Sequence, residues 1–158
     1  WAHAHIPDNA GKQPLSQRII DGAPDAYFAS LPVNAMVAAM NQAEIPAAVS
    51  YTAGTYVCND VMYQVLHALA TRFPETRGTF LHVPFATEQV VEKNAAAAEK
   101  ADTGEKGFAA GEKAGTGEKT RQVPSMSLEM MTRGLQVALE AALSNDVDLA
   151  DSESGTTC

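Results

Sequence analysis

Short apolar runs alternate with helical patterns along this chain, and their order restricts its fold more than any other feature. The segments 47–51 and 79–83 have the length and apolar content of strands buried in a parallel sheet. Helical spacing follows each of them, at about 57–71 and 127–143. Strand, helix, strand, helix predicts an α/β domain built in layers, with right-handed crossovers between parallel strands.

The apolar spacing also predicts which side of each helix is buried. A first helix over 32–43 ends before Pro46, because the residue preceding a proline avoids the helical region. Residues 1–23 are rich in proline and glycine and predict an extended, loop-rich segment. The predicted core positions are Met36, Val37 and Met40 in the first helix, Val57, Val61, Met62, Val65, Leu66 and Leu69 in the second, and Leu128, Met131, Leu135, Ala138, Leu139 and Ala142 in the last.

A thiol and an imidazole stand at two of the predicted element boundaries. The Gly54-Thr55 break places Cys58 in the first turn of the second helix, where the positive end of the helix dipole favours the thiolate. His82 ends the second strand and has the chemistry of a base that keeps the sulfur deprotonated. The structural alternatives are a small buried cysteine and a structural histidine, and the sequence alone does not show that the two side chains meet.

Composition excludes several classes of function. The net charge of −8 argues against a nucleic-acid partner, whose recognition needs a basic face. No apolar run reaches the roughly 18 residues that a membrane helix needs. Two cysteines, one of them the last residue, do not form a disulfide framework and indicate a reducing, cytoplasmic location. His3 and His5 lack a third ligand, so neither a metal site nor a cofactor is predicted.

Two segments look unlike a packed domain. Residues 93–122 consist mostly of Ala, Gly, Glu and Lys, and Thr-Gly-Glu-Lys occurs at 103 and again at 116. So few apolar side chains cannot offset the entropy of ordering, which predicts an inserted surface loop. Residues 144–158 predict a disordered acidic tail in which Cys158 has no role.

Several ordered motifs resemble the pyroglutamyl peptidase I (pyrrolidone-carboxylate peptidase) family of cysteine peptidases. The resemblance covers residues 4–92 and 123–143. Its matching runs are Ile6–Asn9, Gln13–Pro14, Ala26–Phe28, Leu31–Pro32, Ser50–Asn59, His82–Phe85, Glu88–Gln89 and Pro124–Glu129.

The resemblance implies a three-layer α/β/α sandwich with a mostly parallel central sheet, and removal of N-terminal pyroglutamate from peptides through a thioester. It implies Cys58 as nucleophile and His82 as its base, with Ile6, Tyr56 and Val57 lining the pyroglutamyl pocket. Tyr56 stands where many relatives carry phenylalanine. No cofactor and a homotetramer are further implications.

One departure from the family's pattern concerns the beginning of the chain. Relatives carry a strand, a glycine-rich loop and a catalytic glutamate before the Ile-Pro-Asp-Asn motif, whereas five residues precede Ile6 here. The expectation is a partial sequence in which residues 1–143 are the C-terminal part of one domain, interrupted by 93–122, so that its own activity is in doubt. A different cysteine amidase or hydrolase, or a catalytically inactive interaction domain, are the alternatives.

Overall fold

The computed structural model describes residues 1–92 and 123–150. Its elements, in chain order, are α1 (Val33–Gln42), α2 (Val57–Arg72), β1 (Phe85–Ala86), α3 (described over 87–92), β2 (Ser125–Met126) and α4 (Leu128–Ser144). Strands β1 and β2 pair in parallel, with Phe85 opposite Ser125. The predicted α/β class is confirmed, and this pair is the sheet of the described residues.

The described residues form two compact units, one of residues 1–81 with 134–150 and one of residues 82–92 with 123–133. The segment 1–23 contains no helix and a single isolated bridge between Ala2 and Gln17, as its proline and glycine content predicts. The predicted inserted loop, residues 93–122, lies outside the described residues.

The two predicted strands at 47–51 and 79–83 are wrong. Both segments lack strand pairing, and β1 begins only at Phe85. In the first segment the side-chain amide of Asn41 takes both backbone groups of Ala47, accepting from its N–H at 3.1 Å and donating to its C=O at 3.2 Å. An apolar run becomes a strand only where a neighbouring strand supplies these hydrogen bonds.

Helix α1 forms where the sequence predicts it, and its end builds the main core. Glu44 adopts a left-handed φ of 61°, while its N–H bonds to Asn41 O and that of Ile45 bonds to Met40 O at 2.9 Å. This is the Schellman arrangement, which turns the chain and brings Ile45 onto the helix's last turn. The core of this unit then consists of Met36, Met40, Ile45, Ala138 and Ala142.

The buried faces of α2 and α4 agree only in part with the predicted ones. In α2, Val57, Val61 and Val65 are exposed, while Tyr63 and Leu66 are buried. Helix α4 buries its small residues, which lets the α1 side chains approach closely, and a Cβ on Gly134 would stand 3.4 Å from Ile45. The leucines predicted to face the core of α4, namely Leu128, Leu135 and Leu139, are exposed. Both helices carry apolar residues on more than one face. The spacing was right for Leu66, Ala138 and Ala142, which are buried, and wrong for the valines of α2 and the leucines of α4.

Local capping explains where α3 and α4 begin. The Ser127 hydroxyl accepts the Met130 N–H at 3.2 Å, so Ser127 is the N-cap of α4, whose start agrees with the predicted one. At the start of α3 the Gln89 side chain accepts the Ala86 N–H at 2.9 Å, the second half of a capping box.

The segment after α4 caps α1 across the chain. Asp148 accepts the N–H groups of Asn34 and Ala35 at 3.1 and 3.0 Å, at a helix start where Pro32 offers no side-chain cap. Arg77 donates to the carbonyls of Ala142 and Asn145 at 3.2 and 3.1 Å. Of the tail predicted to be disordered, residues 144–150 therefore carry tertiary hydrogen bonds, and residues 151–158 lie outside the described residues.

Replacement of Asp148 by alanine is expected to lower the free energy of unfolding by about 1–2 kcal/mol, because it removes both acceptors at the α1 N-terminus. Asp146→Ala is the matched control. Its carboxylate is fully exposed and stands 3.8 Å from Arg77, so a loss below about 0.5 kcal/mol is expected. Urea denaturation of both variants measures the difference, and equal losses would contradict a capping role for Asp148.

Candidate active site

The turn before α2 is held by short-range hydrogen bonds. Gly54 has a φ of +77°, a left-handed conformation that glycine adopts without strain. Its N–H donates to the Thr52 hydroxyl at 2.9 Å, and the Ser50 hydroxyl donates to Thr52 O at 2.9 Å. The polar side chains between the apolar run and α2 thus fix the direction in which the helix leaves the turn.

Cys58 is the second residue of α2 and is half-buried. The N-cap residue, Tyr56, makes no side-chain hydrogen bond to the helix, and the first helical hydrogen bond runs from Asp60 N–H to Tyr56 O at 3.0 Å. The first backbone N–H groups of a helix have no acceptor within it and carry its positive partial charge. The predicted position of Cys58 in such a first turn is confirmed.

Two side chains flanking Cys58 hold the start of the chain. The His3 N–H donates to Thr55 O at 2.7 Å, and the Thr55 hydroxyl donates back to His3 O at 3.1 Å. The side-chain amide of Asn59 donates to Trp1 O at 2.8 Å. We call these three hydrogen bonds the N-terminal clamp. The sequence analysis placed Thr55 in the break before the helix and did not predict either contact.

The other edge of the same segment is also bonded. The N–H groups of Ala2 and Ala4 donate to Gln17 O at 2.7 Å and Pro14 O at 2.8 Å, and both alanines are buried. Residues 1–4 therefore lie between the 13–17 segment and the start of α2, and backbone hydrogen bonds join them to both.

The predicted pocket residues lie on the two segments that the N-terminal clamp joins. Ile6 follows His3 by three residues, while Tyr56 and Val57 begin α2. Their exposed fractions are 42%, 40% and 55%, so all three are surface residues in the described chain. Tyr56 and Val57 directly precede Cys58 in the chain, and the grouping of Ile6 with them stays a prediction.

His82 is exposed and lies in the extended stretch before β1. It is the first residue of the second compact unit, whereas Cys58 belongs to the first. The pairing of His82 with Cys58 stays a prediction.

His67 belongs to an aromatic cluster on α2 that the sequence did not predict. Its Nδ1 is 2.8 Å from the Tyr27 hydroxyl, and its ring is parallel to that of Tyr63. The Tyr63 hydroxyl donates to Pro24 O. Loss of water around Tyr63 raises the pKa of its phenol, and Tyr27 raises it further. The cluster attaches the 24–27 segment to α2, so His67 has a packing role.

Within residues 1–92 and 123–150, no three His, Cys, Asp or Glu side chains gather as a metal site would require. His3 and His5 do lie near each other, with ring centroids 5.5 Å apart, and His3 Nδ1 is 3.1 Å from the Ser16 hydroxyl. No helix in the described part of the chain is long and apolar enough to cross a membrane.

Comparison with known proteins gives a consistent result. The sequence profile of the family described as pyroglutamyl peptidase matches residues 1–111. The pyrrolidone-carboxylate peptidase of Enterococcus faecalis is 40% identical over 156 residues, and that of Streptomyces coelicolor is 55% identical over 98 residues. The crystal structure of pyroglutamyl peptidase I from Bacillus amyloliquefaciens superimposes with a TM-score of 0.73 at 32% identity, over 96% of this chain.

The matches differ in how much of each relative they include. This chain spans 60% of the Enterococcus relative, 45% of the Streptomyces relative and 59% of the Bacillus chain. The first of these alignments nevertheless covers 99% of this chain.

Proposed function

Because the chain belongs to the pyroglutamyl peptidase family, we propose that its protein is a cysteine peptidase that removes N-terminal pyroglutamate from peptides. The observation that carries the proposal is the position of Cys58 in the first turn of α2, after a left-handed glycine and inside the matched residues. The positive end of a helix dipole favours a nearby anion, and the thiolate is the form of cysteine that attacks a carbonyl.

The proposed reaction is an acyl transfer in two halves. The Cys58 sulfur attacks the carbonyl carbon that joins pyroglutamate to the next residue, and N–H groups at the start of α2 stabilise the oxyanion. His82 takes the thiol proton and delivers it to the departing amine, which leaves a pyroglutamyl thioester. Water then attacks the thioester, with His82 accepting its proton, and free pyroglutamate and the thiol are released.

Ile6, Tyr56 and Val57 form the proposed pocket for the pyroglutamyl ring. The ring is a neutral lactam, which suits an apolar surface with few polar contacts. The Tyr56 hydroxyl adds one polar group to that surface. This arrangement accounts for a preference for blocked N-termini, because an α-ammonium group would lose its hydration against the same side chains.

The proposal also includes the oligomeric state and the cellular location of the protein. A homo-oligomer, specifically a tetramer, follows from the resemblance, and the exposed leucines of α4 supply apolar surface for subunit contact. A cytoplasmic location is supported by the low cysteine content.

Two other functions compete with the proposal: another cysteine amidase or hydrolase, and an interaction domain without catalytic activity.

The proposed specificity is tested with two coumarin amides. One carries pyroglutamate and the other proline, which has a five-membered ring of the same size but an unblocked, charged nitrogen. We expect kcat/KM to favour the pyroglutamyl substrate by at least about 10³-fold, since a charged group is poorly accommodated without a partner. Equal hydrolysis of the two amides would favour a different amidase, and hydrolysis of neither would favour an interaction domain.

A further inference from the structure

The N-terminal clamp is the feature of this site that neither the sequence nor the proposed chemistry accounts for. Thr55 lies three residues before Cys58 and Asn59 lies directly after it, so the two clamp residues flank the nucleophile. Both bond the same segment of the chain, at His3 and at Trp1. Their partners are more than 50 residues away in sequence, since the contacts span 52 and 58 positions.

The two clamp side chains are accessible to water, so we expect them to contribute little to overall stability. Thr55 is exposed and Asn59 is half-buried, so water can replace either hydrogen bond when a side chain is removed. Removal should therefore have little effect on the unfolding equilibrium. It should have a larger effect on where residues 1–4 lie relative to α2, because in the described residues the clamp supplies the hydrogen bonds that join this segment to the start of α2.

We infer that Thr55 and Asn59 are positioning residues, which hold the segment carrying Ile6 in register with the start of α2. This inference rests on the proposed function, in which Ile6 contacts one side of the substrate ring while Tyr56 and Val57 contact the other. The clamp then sets the distance between the two sides of the proposed ring pocket, on which binding of the ring depends.

Thr55 gives the cleaner test of the two residues. Thr55→Val removes the hydroxyl that donates to His3 O and keeps the side-chain shape, and it leaves the backbone acceptor of the His3 N–H in place. We expect KM for the pyroglutamyl-coumarin amide to rise by about tenfold, with a smaller change in kcat, because ring binding is weakened before the thiol chemistry is affected. The rate at which iodoacetamide alkylates Cys58 should change by less than about twofold, since this small reagent does not use the pocket.

Two further variants separate positioning from structural damage. Thr55→Ser keeps the hydroxyl and is expected to restore KM to within about threefold of the parent. Thr71→Val, near the end of α2, is the control, because its hydroxyl donates to His67 O at 2.7 Å, within its own helical turn. This control should leave KM unchanged. A KM for Thr55→Val within about twofold of the parent, an equal rise in Thr55→Ser, or an equal rise in Thr71→Val would each overturn the inference.

The inference and the proposed function fail in different ways. If the unmodified protein does not cleave the pyroglutamyl substrate, the proposed function is wrong. The effect of the clamp on the first segment is then measured by the amide hydrogen exchange rate of His3, whose N–H bonds to Thr55 O. We expect at least about fivefold faster exchange in Thr55→Val than in the parent, because a loosened segment opens more often. Unchanged exchange would overturn the positioning role whatever the catalytic result.

Discussion

Cys58→Ala is expected to lower kcat/KM for the pyroglutamyl substrate by about 10⁵- to 10⁶-fold, the size of loss seen when the nucleophile of a covalent hydrolase is removed. Cys58→Ser should retain almost no activity, because a hydroxyl is far less ionised than a thiol. Cys158→Ser is the matched control and should be fully active. Since the chain has two cysteines, this control also leaves Cys58 as the single site for iodoacetamide. Full activity in Cys58→Ala would contradict the proposed function.

The partnership between Cys58 and His82 is tested by combining their variants. His82→Ala alone should lower kcat/KM by about 10²- to 10⁴-fold, the range attributed to general acid and base catalysis. Residues that act as one unit show strongly non-additive losses. We therefore expect the double variant Cys58→Ala with His82→Ala to be no less active than Cys58→Ala. A double variant whose loss equals the product of the two single losses would indicate that His82 acts independently of the thiol.

The features that the sequence predicted correctly depend on residues close together in the chain. The start of α4 follows from Ser127, whose hydroxyl caps an N–H three residues later. The placement of Cys58 in the first turn of α2 follows from the Gly54 break, which needs a left-handed conformation. Both are short-range signals, and for that reason a single sequence contains them in full.

The features that the sequence missed depend on distant partners. Asp148 caps α1 across 113 and 114 positions, and the N-terminal clamp joins residues that are 52 and 58 positions apart. A side chain that bonds a remote backbone group leaves no periodic signal. The strand predicted at 47–51 is absent, and at its first residue the side chain of Asn41, six positions away, bonds both backbone groups of Ala47.

The choice of buried face was the least predictable feature of the helices. In α2 the apolar residues surround much of the helix, and the buried face is the one that carries Tyr63 beside Tyr27. Aromatic side chains bury a large area and also need partners for their polar atoms, here Pro24 O for the Tyr63 hydroxyl. That requirement favours the tyrosine face over the valine face, whereas a count of apolar positions treats the two alike.

The difference in burial between the two helices can be measured as a difference in stability when one leucine on each helix is replaced. Leu66 is 5% exposed on α2, whereas Leu139 is 58% exposed on α4, although the sequence predicted both as core residues. Leu66→Ala should lower the free energy of unfolding by about 2–4 kcal/mol, because it removes buried methyl groups and leaves a cavity. Leu139→Ala should cost less than about 0.5 kcal/mol, as exposed substitutions usually do.

The comparison controls for everything except burial, since both changes are Leu to Ala within an α-helix and alter helix propensity equally. Urea unfolding at several protein concentrations measures the two losses. A small loss for Leu66→Ala would contradict the observed burial on α2. A loss for Leu139→Ala equal to that for Leu66→Ala would show that another surface covers this face of α4 in solution. If that loss also grew with protein concentration, the covering surface would be a second copy of the chain, because only association makes apparent stability depend on concentration.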